Sequence, residues 1–323
     1  MFEALCAHLK THPEAEVQDA VKFLYQASFG GGHFLSDPDG AYLYLLKEAE
    51  TANLDAPYTE ALGEQYARIN LSALQELSPK TLFAMFKASS EDTPTDKTAF
   101  LSLLDELENA DLFDKSENAA FLKSYRAAGC PAVHHSEAYR RASQPAYRVV
   151  PKAYADFLPA FIAIDKLTTE KAPVTVAIDG LCGSGKTTFA ALLQSVYDCN
   201  LFHADDFYLP LPMPTPARYA SPGRKAPWER ILSDILEQIP KNESFSYRVF
   251  DCGAMELVDA VQVTPKTPNI LERSYSTHPE RIGRFDLQIF LMTHTETQSP
   301  SILKRNGLAR HQMIVEHLIQ LEK

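Results

Sequence analysis

The fold of the second half of the chain is decided by residues 174–188, which read VTVAIDGLCGSGKTT. The first five residues form a short, mostly β-branched run, which is typical of a buried parallel strand. A glycine-rich segment with the pattern G-x-x-x-x-G-K-T follows, and a helical pattern of apolar residues begins directly after it. Strand, loop and helix in this order predict a loop that wraps around phosphate groups. The alternative is a glycine-rich turn with no ligand.

The residue types of this loop suit a nucleoside triphosphate. The glycines let the backbone approach the phosphates, and the N-terminus of the following helix adds amide donors and a favourable dipole. The Lys186 ammonium supplies a positive charge to the β- and γ-phosphates, and the Thr187 hydroxyl is a ligand for Mg²⁺. We therefore predict that the chain uses ATP and Mg²⁺. The predicted nucleotide-binding residues are Gly180, Gly183, Ser184, Gly185, Lys186, Thr187 and Thr188.

Acidic residues follow two further strand candidates, residues 200–203 and 269–271. Carboxylates at the carboxyl ends of parallel strands lie in the crevice where α/β proteins bind ligands. Asp205, or its neighbour Asp206, is the candidate to accept the proton of an attacking hydroxyl or to hold Mg²⁺. Glu272 is a further candidate for the metal. The alternatives are a solvated turn at 205–206 and a surface glutamate at 272.

Strands that alternate with helical patterns predict the fold class of this half. A fourth strand candidate covers residues 287–292, and helical patterns cover residues 189–197 and 228–239. This alternation predicts an α/β fold of the P-loop NTPase type, with a mostly parallel sheet and flanking helices.

The first half of the chain has a different pattern. Helical spacing of apolar residues recurs through residues 1–150, and Ser78-Pro79 is a good helix start. We predict an all-α N-terminal domain of unknown role over 1–150, a connecting helix and linker over 151–171, and the α/β domain over 172–323.

Composition excludes several classes of protein. The formal net charge of −11 argues against nonspecific binding to nucleic acid or to anionic membranes. The five scattered cysteines indicate neither a disulfide framework nor a zinc site. The N-terminal residues do not resemble a secretory signal, and no apolar run approaches the about 20 residues that span a bilayer. We therefore expect a cytoplasmic protein that binds neither nucleic acid nor membrane, with its oligomeric state open.

The run at 203–210, HADDFYLP, resembles the Asp-x-Phe-Tyr segment of the uridine kinase and phosphoribulokinase family. Further segments resemble a bacterial branch of that family with an N-terminal helical extension, and they recur in order from about 172 to 310. The resemblance implies a kinase that transfers the γ-phosphoryl group of ATP to a hydroxyl of a nucleoside, uridine-like, or of a related small metabolite. The segments lie at 222–230, 247–252, 272–279 and 304–307.

The resemblance also implies roles for particular residues. Asp205 matches the family's base, Glu272 its acidic residue near the metal, and Lys304 and Arg305 its arginine-bearing lid. The predicted catalytic residues are Asp205, Lys186 and Arg305, and the predicted metal ligands are Thr187, Asp205 and Glu272. The predicted substrate-binding residues are Asp206, Tyr208, Arg230 and His278. For Lys304 and Arg305 the alternative is a solvated basic helix face.

Three positions depart from the family pattern. Pro227 stands where a substrate-contacting aspartate is expected, Arg273 replaces a glycine, and Ser301 stands where a lid arginine is expected. These departures favour an alternative, a catalytically reduced ATP-binding regulatory protein whose helical domain binds a partner.

Histidines in the first half raise a separate question. His33, His134, His135 and Glu137 could gather into a metal or anion site, although their spacing matches no metal motif. Caps and packing groups are the more usual roles of histidines near helix ends. His203 and His278 lie nearer the predicted crevice, as substrate contacts or structural groups.

Overall fold

The computed structural model describes residues 1–31, 35, 37–90, 97–208, 228–251, 253–272 and 283–293. The chain forms two compact units, Met1–Ile162 and Ala163–Lys323. The division falls within one helix, Leu158–Glu170. None of the described helices is both long and apolar enough to cross a membrane.

The first unit is mainly helical, and its helices begin where the sequence provides caps. The Ser78 hydroxyl accepts a hydrogen bond from the Lys80 amide, with Pro79 as the first helical residue, as predicted. The Asp114 carboxylate and the Ser136 hydroxyl cap two other helices in the same way. The helices are α1 Phe2–Thr11, α2 Val17–Phe29, α3 Pro38–Ala49, α4 Pro79–Ser89, α5 Thr98–Asn109, α6 Lys115–Ala127, α7 Glu137–Ser143 and α8 Lys152–Asp156.

The prediction that this unit is all-α needs a correction. Three antiparallel strands, β1 Thr59–Ala61, β2 Tyr66–Asn70 and β3 Tyr147–Pro151, form a sheet in the order β1-β2-β3. The strands are short, and β2 and β3 are far apart in the chain. The central strand β2 also carries a fully buried arginine, Arg68. A charged residue inside a buried strand interrupts the apolar pattern by which strands are recognised.

The second unit is built on a four-stranded parallel sheet, as predicted. Helix α9 Leu158–Glu170 leads into it, and α10 Lys186–Val196 connects its first two strands in the chain. The central strand β4 is buried on both faces, because helices cover both sides of such a sheet. The strands are β4 Thr175–Gly180, β5 Asn200–His203, β8 Asn269–Glu272 and β9 Leu287–Leu291, in the order β5-β8-β4-β9.

The second unit also contains a hairpin that the sequence analysis did not predict. Strands β6 Phe245–Asp251 and β7 Glu256–Val263 pair antiparallel as a separate two-stranded sheet. Tyr247 of β6 is buried in an apolar cluster that includes Ala177, Phe202 and Leu271 of the parallel strands, and Phe250 is also buried. The short helix α11 Trp228–Ile231 continues into a π-helical turn and packs on the same cluster.

Candidate active site

The glycine-rich loop connects the carboxyl end of β4 to the N-terminus of α10. Gly180 has φ +149°, and a Cβ there would lie 2.3 Å from the carbonyl oxygen of Leu291, the residue that pairs with it in β9. Gly183 and Gly185 have φ +74° and +90°, the left-handed region that favours glycine. Each of these glycines is therefore required by the backbone path, and the loop delivers the chain to the helix at Lys186.

The cation and the hydroxyl of this loop are placed for an anion. The Lys186 ammonium donates to the carbonyl oxygens of Gly180 and Leu181, both at 2.9 Å, so it lies over the loop. The Ser184 Oγ is buried and has no hydrogen-bond partner among the described residues. A buried hydroxyl without a partner is costly, and a phosphate oxygen would satisfy it. The loop therefore offers a cation and a buried, unsatisfied hydroxyl to an anion.

A hydrogen-bonded chain links the loop to the ends of the two neighbouring strands. The Thr187 hydroxyl donates to Glu272 Oε1 at 2.9 Å, and His203 Nδ1 donates to Glu272 Oε2 at 2.8 Å. His203 and Glu272 are direct partners in the parallel register of β5 and β8. The carboxyl edge of the sheet thus gathers a hydroxyl, a carboxylate and an imidazole.

The carboxylate of this chain is held in its charged form. Burial of Glu272 acts to raise its pKa, but the hydrogen bonds from His203 and Thr187 and the nearby Lys186 outweigh burial, so the pKa lies below its usual range. The same hydrogen bond from His203 to Glu272 raises the pKa of the imidazole against the effect of its own burial. A charged Glu272 takes the Thr187 hydrogen, which leaves the lone pairs of that hydroxyl for a cation.

The two aspartates lie on the 3-10 turn Ala204–Phe207, directly after β5. Asp205 is exposed, and Tyr208 donates to its Oδ1 at 3.4 Å, a long contact. Asp206 is half-buried, and this burial raises its pKa. The two neighbours therefore have different environments, and Asp205 is the more accessible carboxylate.

Arg230 holds this turn in place. Its guanidinium donates to the carbonyl oxygens of Tyr208 and Asp206 at 3.2 and 3.5 Å, and to the Asp234 carboxylate at 3.1 Å. It also lies 5.5 Å from the centre of the Phe207 ring. These contacts give Arg230 a positioning role for the turn, next to the substrate-binding role that the sequence predicts.

The donors at this edge suit Mg²⁺ in type. Mg²⁺ prefers oxygen ligands and is usually held by one or two carboxylates together with substrate phosphates. Thr187, Asp205 and Glu272 all offer oxygen. In the part of the chain that the structure describes, no three His, Cys, Asp or Glu side chains gather into a complete metal site.

One acidic residue at the loop was not predicted from the sequence. Asp179 of β4 is 1% exposed, and its Oδ1 accepts from the Gly180 amide at 2.8 Å. A carboxylate inside a β-branched strand, directly before the first loop glycine, was the available signal.

Of the remaining predicted residues, Thr188 is exposed in the first turn of α10, directly after Thr187. His135 belongs to the first unit, where Asp19 and Tyr147 contact its ring. Glu137 is the first residue of α7, and His134 is exposed. Outside the described residues lie His33, Pro227, Arg273, His278, Ser301, Lys304 and Arg305.

Two solved structures that are similar to this chain carry names of kinases. A proposed fructose transport system kinase from a Silicibacter species is 20% identical, covers 44% of this chain and 79% of its own, and has a TM-score of 0.38. A possible uridine kinase from Bacillus stearothermophilus is 16% identical, covers 48% of this chain and 94% of its own, and has a TM-score of 0.34. No protein-family model matches the chain, and no curated protein matches it.

Both likenesses have TM-scores below 0.5 and identities of 20% or less, so the roles of individual residues rest on the geometry of this chain.

Proposed function

We propose that the second unit is an ATP-dependent kinase that transfers the γ-phosphoryl group to a hydroxyl of a nucleoside, uridine-like, or of a related small metabolite. One observation carries the proposal. The cation of the loop, the Thr187–Glu272–His203 chain and the exposed Asp205 all follow the carboxyl ends of adjacent parallel strands. Phosphoryl transfer needs a phosphate cradle, a cation site and a base, and this edge offers candidates for each.

The loop residues would bind and orient the nucleotide. Lys186 would exchange its bonds to the loop carbonyls for the β- and γ-phosphates, and the buried Ser184 hydroxyl would gain an acceptor. The helix N-terminus of α10 adds its amide donors. When bound, Mg²⁺ neutralises charge on the transferring group, and Thr187 with Glu272 would hold it.

Asp205 would orient the acceptor hydroxyl and take its proton. Its exposure leaves the carboxylate accessible to a substrate, and Arg230 fixes the turn that carries it. Tyr208, whose hydroxyl already contacts Asp205, would border the acceptor site. Positioning by such groups is the main contribution of a protein to phosphoryl transfer.

An acceptor screen tests the proposal. The purified chain is incubated with γ-labelled ATP, Mg²⁺ and a panel of nucleosides, sugars and related alcohols. We expect label to appear in at least one small-molecule product, and the Lys186→Ala variant to lose it. ATP·Mg²⁺ binding without transfer to any acceptor would contradict the proposed kinase activity and favour a regulatory role.

A further inference from the structure

The first unit contains a large cavity that no part of the proposed kinase function uses. Its volume is about 910 Å³, within the roughly 300–1,000 Å³ that small-molecule sites occupy. Helices α2 and α3 and the residues around β3 supply its walls.

A network of buried hydrogen bonds forms the base of the cavity. His135 lies between Asp19, at 2.8 Å from its Nδ1, and the Tyr147 hydroxyl, at 2.7 Å from its Nε2. The Gln26 carbonyl oxygen accepts from Arg68 Nη2 at 2.8 Å and lies 3.2 Å from the Tyr147 hydroxyl. Three of these residues, Gln26, His135 and Tyr147, line the cavity.

The proton positions in this network are fixed by its end groups. The backbone amide of Ser136 and the His135 ring hold the Asp19 pKa at about 2, against the effect of burial, so Asp19 is charged and only accepts. Burial lowers the pKa of His135 to about 4, so its ring is neutral at pH 7. His135 therefore donates from Nδ1 to Asp19, and its Nε2 accepts from Tyr147.

The wall of the cavity is electropositive. Among the lining residues that the structure describes, the cations Lys22, Arg140 and Arg148 outnumber the carboxylates Asp37 and Glu48. Glu48 pairs with Arg148 at 2.8 Å. Burial, together with the positive charges of Arg68 and Arg140, lowers the pKa of Lys22 to about 8. This local excess of positive charge contrasts with the net charge of −11 of the whole chain.

Apolar side chains complete the wall. Phe86 and Val149 are buried and contribute to the lining, and Tyr44 and Pro145 add an exposed and a half-buried ring. A ligand that fills the cavity therefore meets cations, neutral hydrogen-bonding groups and apolar surface together.

The geometry points to a binding site for a small organic anion in the first unit, with a phosphate or carboxylate group near Lys22 and Arg140 and an apolar or ring-shaped body against Phe86 and Val149. This site is separate from the phosphate loop and does not depend on the proposed kinase activity. Among the described lining residues, the cations exceed the carboxylates. An anionic ligand would balance that excess.

Calorimetric titration of the full chain with four probes tests the site. The probes are inorganic phosphate, phenyl phosphate, benzoate and the uncharged benzyl alcohol. The Lys186→Ala variant serves as background, because it removes the loop cation that would also bind phosphate. We expect one equivalent of phenyl phosphate or benzoate to bind in this background, with benzyl alcohol weaker by about tenfold or more.

Substitutions then locate the site. Arg140 is exposed, so Arg140→Gln preserves the fold. We expect this substitution to weaken binding of the anion about tenfold. Lys22→Met should act in the same direction. The matched controls Arg126→Gln and Lys97→Met change residues of the same unit that do not line the cavity, and they should leave binding unchanged.

The outcomes separate clearly. Tighter binding of phenyl phosphate assigns the site to phosphate esters, and tighter binding of benzoate assigns it to carboxylates. No binding of either anion at about 10 mM, equal binding of benzyl alcohol, or binding unaffected by Arg140→Gln would overturn the inference.

Discussion

The two units place their polar groups in opposite ways. In the second unit the polar groups meet at the carboxyl edge of a parallel sheet, and most of them belong to a short contiguous motif or follow a strand. In the first unit the polar groups are buried beneath apolar residues, and they come from segments that are distant in the chain, such as Asp19 and His135. A local sequence motif predicts the first kind of site, whereas the second kind can be recognised only in the folded structure.

The largest expected effect is the loss of folding stability when the buried arginine of β2 is replaced. Arg68 is fully buried and pairs with Glu60 at 2.9 Å. Arg68→Met would leave Glu60 without this partner, which costs about 3–5 kcal/mol when a buried pair is broken. Hydrogen exchange of α2 and β2 amides would measure this loss in the first unit.

Arg126→Met is the matched control for Arg68→Met. Arg126 pairs with Asp105 and Glu108 at the surface, where such pairs contribute about 0–1 kcal/mol. Equal effects of the two substitutions would contradict the account of the first unit as a buried polar network.

A second prediction concerns the hydroxyl that joins the loop to Glu272. Thr187→Val keeps the shape of the side chain and removes the donor to Glu272 and the proposed cation ligand. We expect phosphoryl transfer to fall by about 10²–10³-fold, the usual effect of losing one electrostatic contact to the reacting groups. Thr264→Val, a change at an exposed threonine of the same unit outside the predicted site, is the control and should change the rate far less. If the Mg²⁺ dependence of the transfer rate were unchanged in Thr187→Val, the assignment of Thr187 to the proposed cation site would be wrong.

A third prediction concerns how the stability of the first unit depends on pH. The folded pKa of His135, about 4, lies below the usual value of about 6.5, so the unfolded chain binds the proton more readily. The contribution of neutral His135 to the stability of the folded unit is complete above pH 6.5 and is lost as pH falls towards 4. Between pH 7 and 5 the first unit should lose about 2 kcal/mol from this group. Hydrogen exchange of β3 at both pH values measures the loss, and His135→Gln should remove it.

The smallest effect is expected at Ser184. Because its buried hydroxyl has no partner among the described residues, Ser184→Ala should not destabilise the second unit. It should weaken the binding of ATP by about tenfold, because one hydrogen bond is lost. Thermal unfolding and equilibrium binding would measure the two quantities. A clear loss of stability would mean that Ser184 serves the loop itself.

Much of the second unit followed from the sequence. The four parallel strands, the helix after the loop and the acidic residues at the strand ends were predicted, because strand residues there are contiguous and buried on both faces. The β6–β7 hairpin was missed, although residues 257–263, which read LVDAVQV, are mostly apolar and rich in valine. Asp179 was missed because a carboxylate inside a strand is rarely read as part of a site.

The first unit was harder to predict for a physical reason. Its helices carry local caps such as Ser78 and Asp114, and these are readable from a few residues. Its sheet depends on pairing between Tyr66–Asn70 and Tyr147–Pro151, and its cavity depends on residues brought together by that pairing. Long-range contacts of this kind leave no periodic signal.

The most direct test of the central claim compares phosphoryl transfer by the wild type and by Asp205→Asn in a single turnover, with the ATP dissociation constant measured alongside. Asp198→Asn, a change at an exposed aspartate of the same unit, is the control. The account predicts a loss of about 10²–10⁴-fold in transfer for Asp205→Asn, with ATP affinity nearly unchanged. Transfer at the wild-type rate in Asp205→Asn would contradict it.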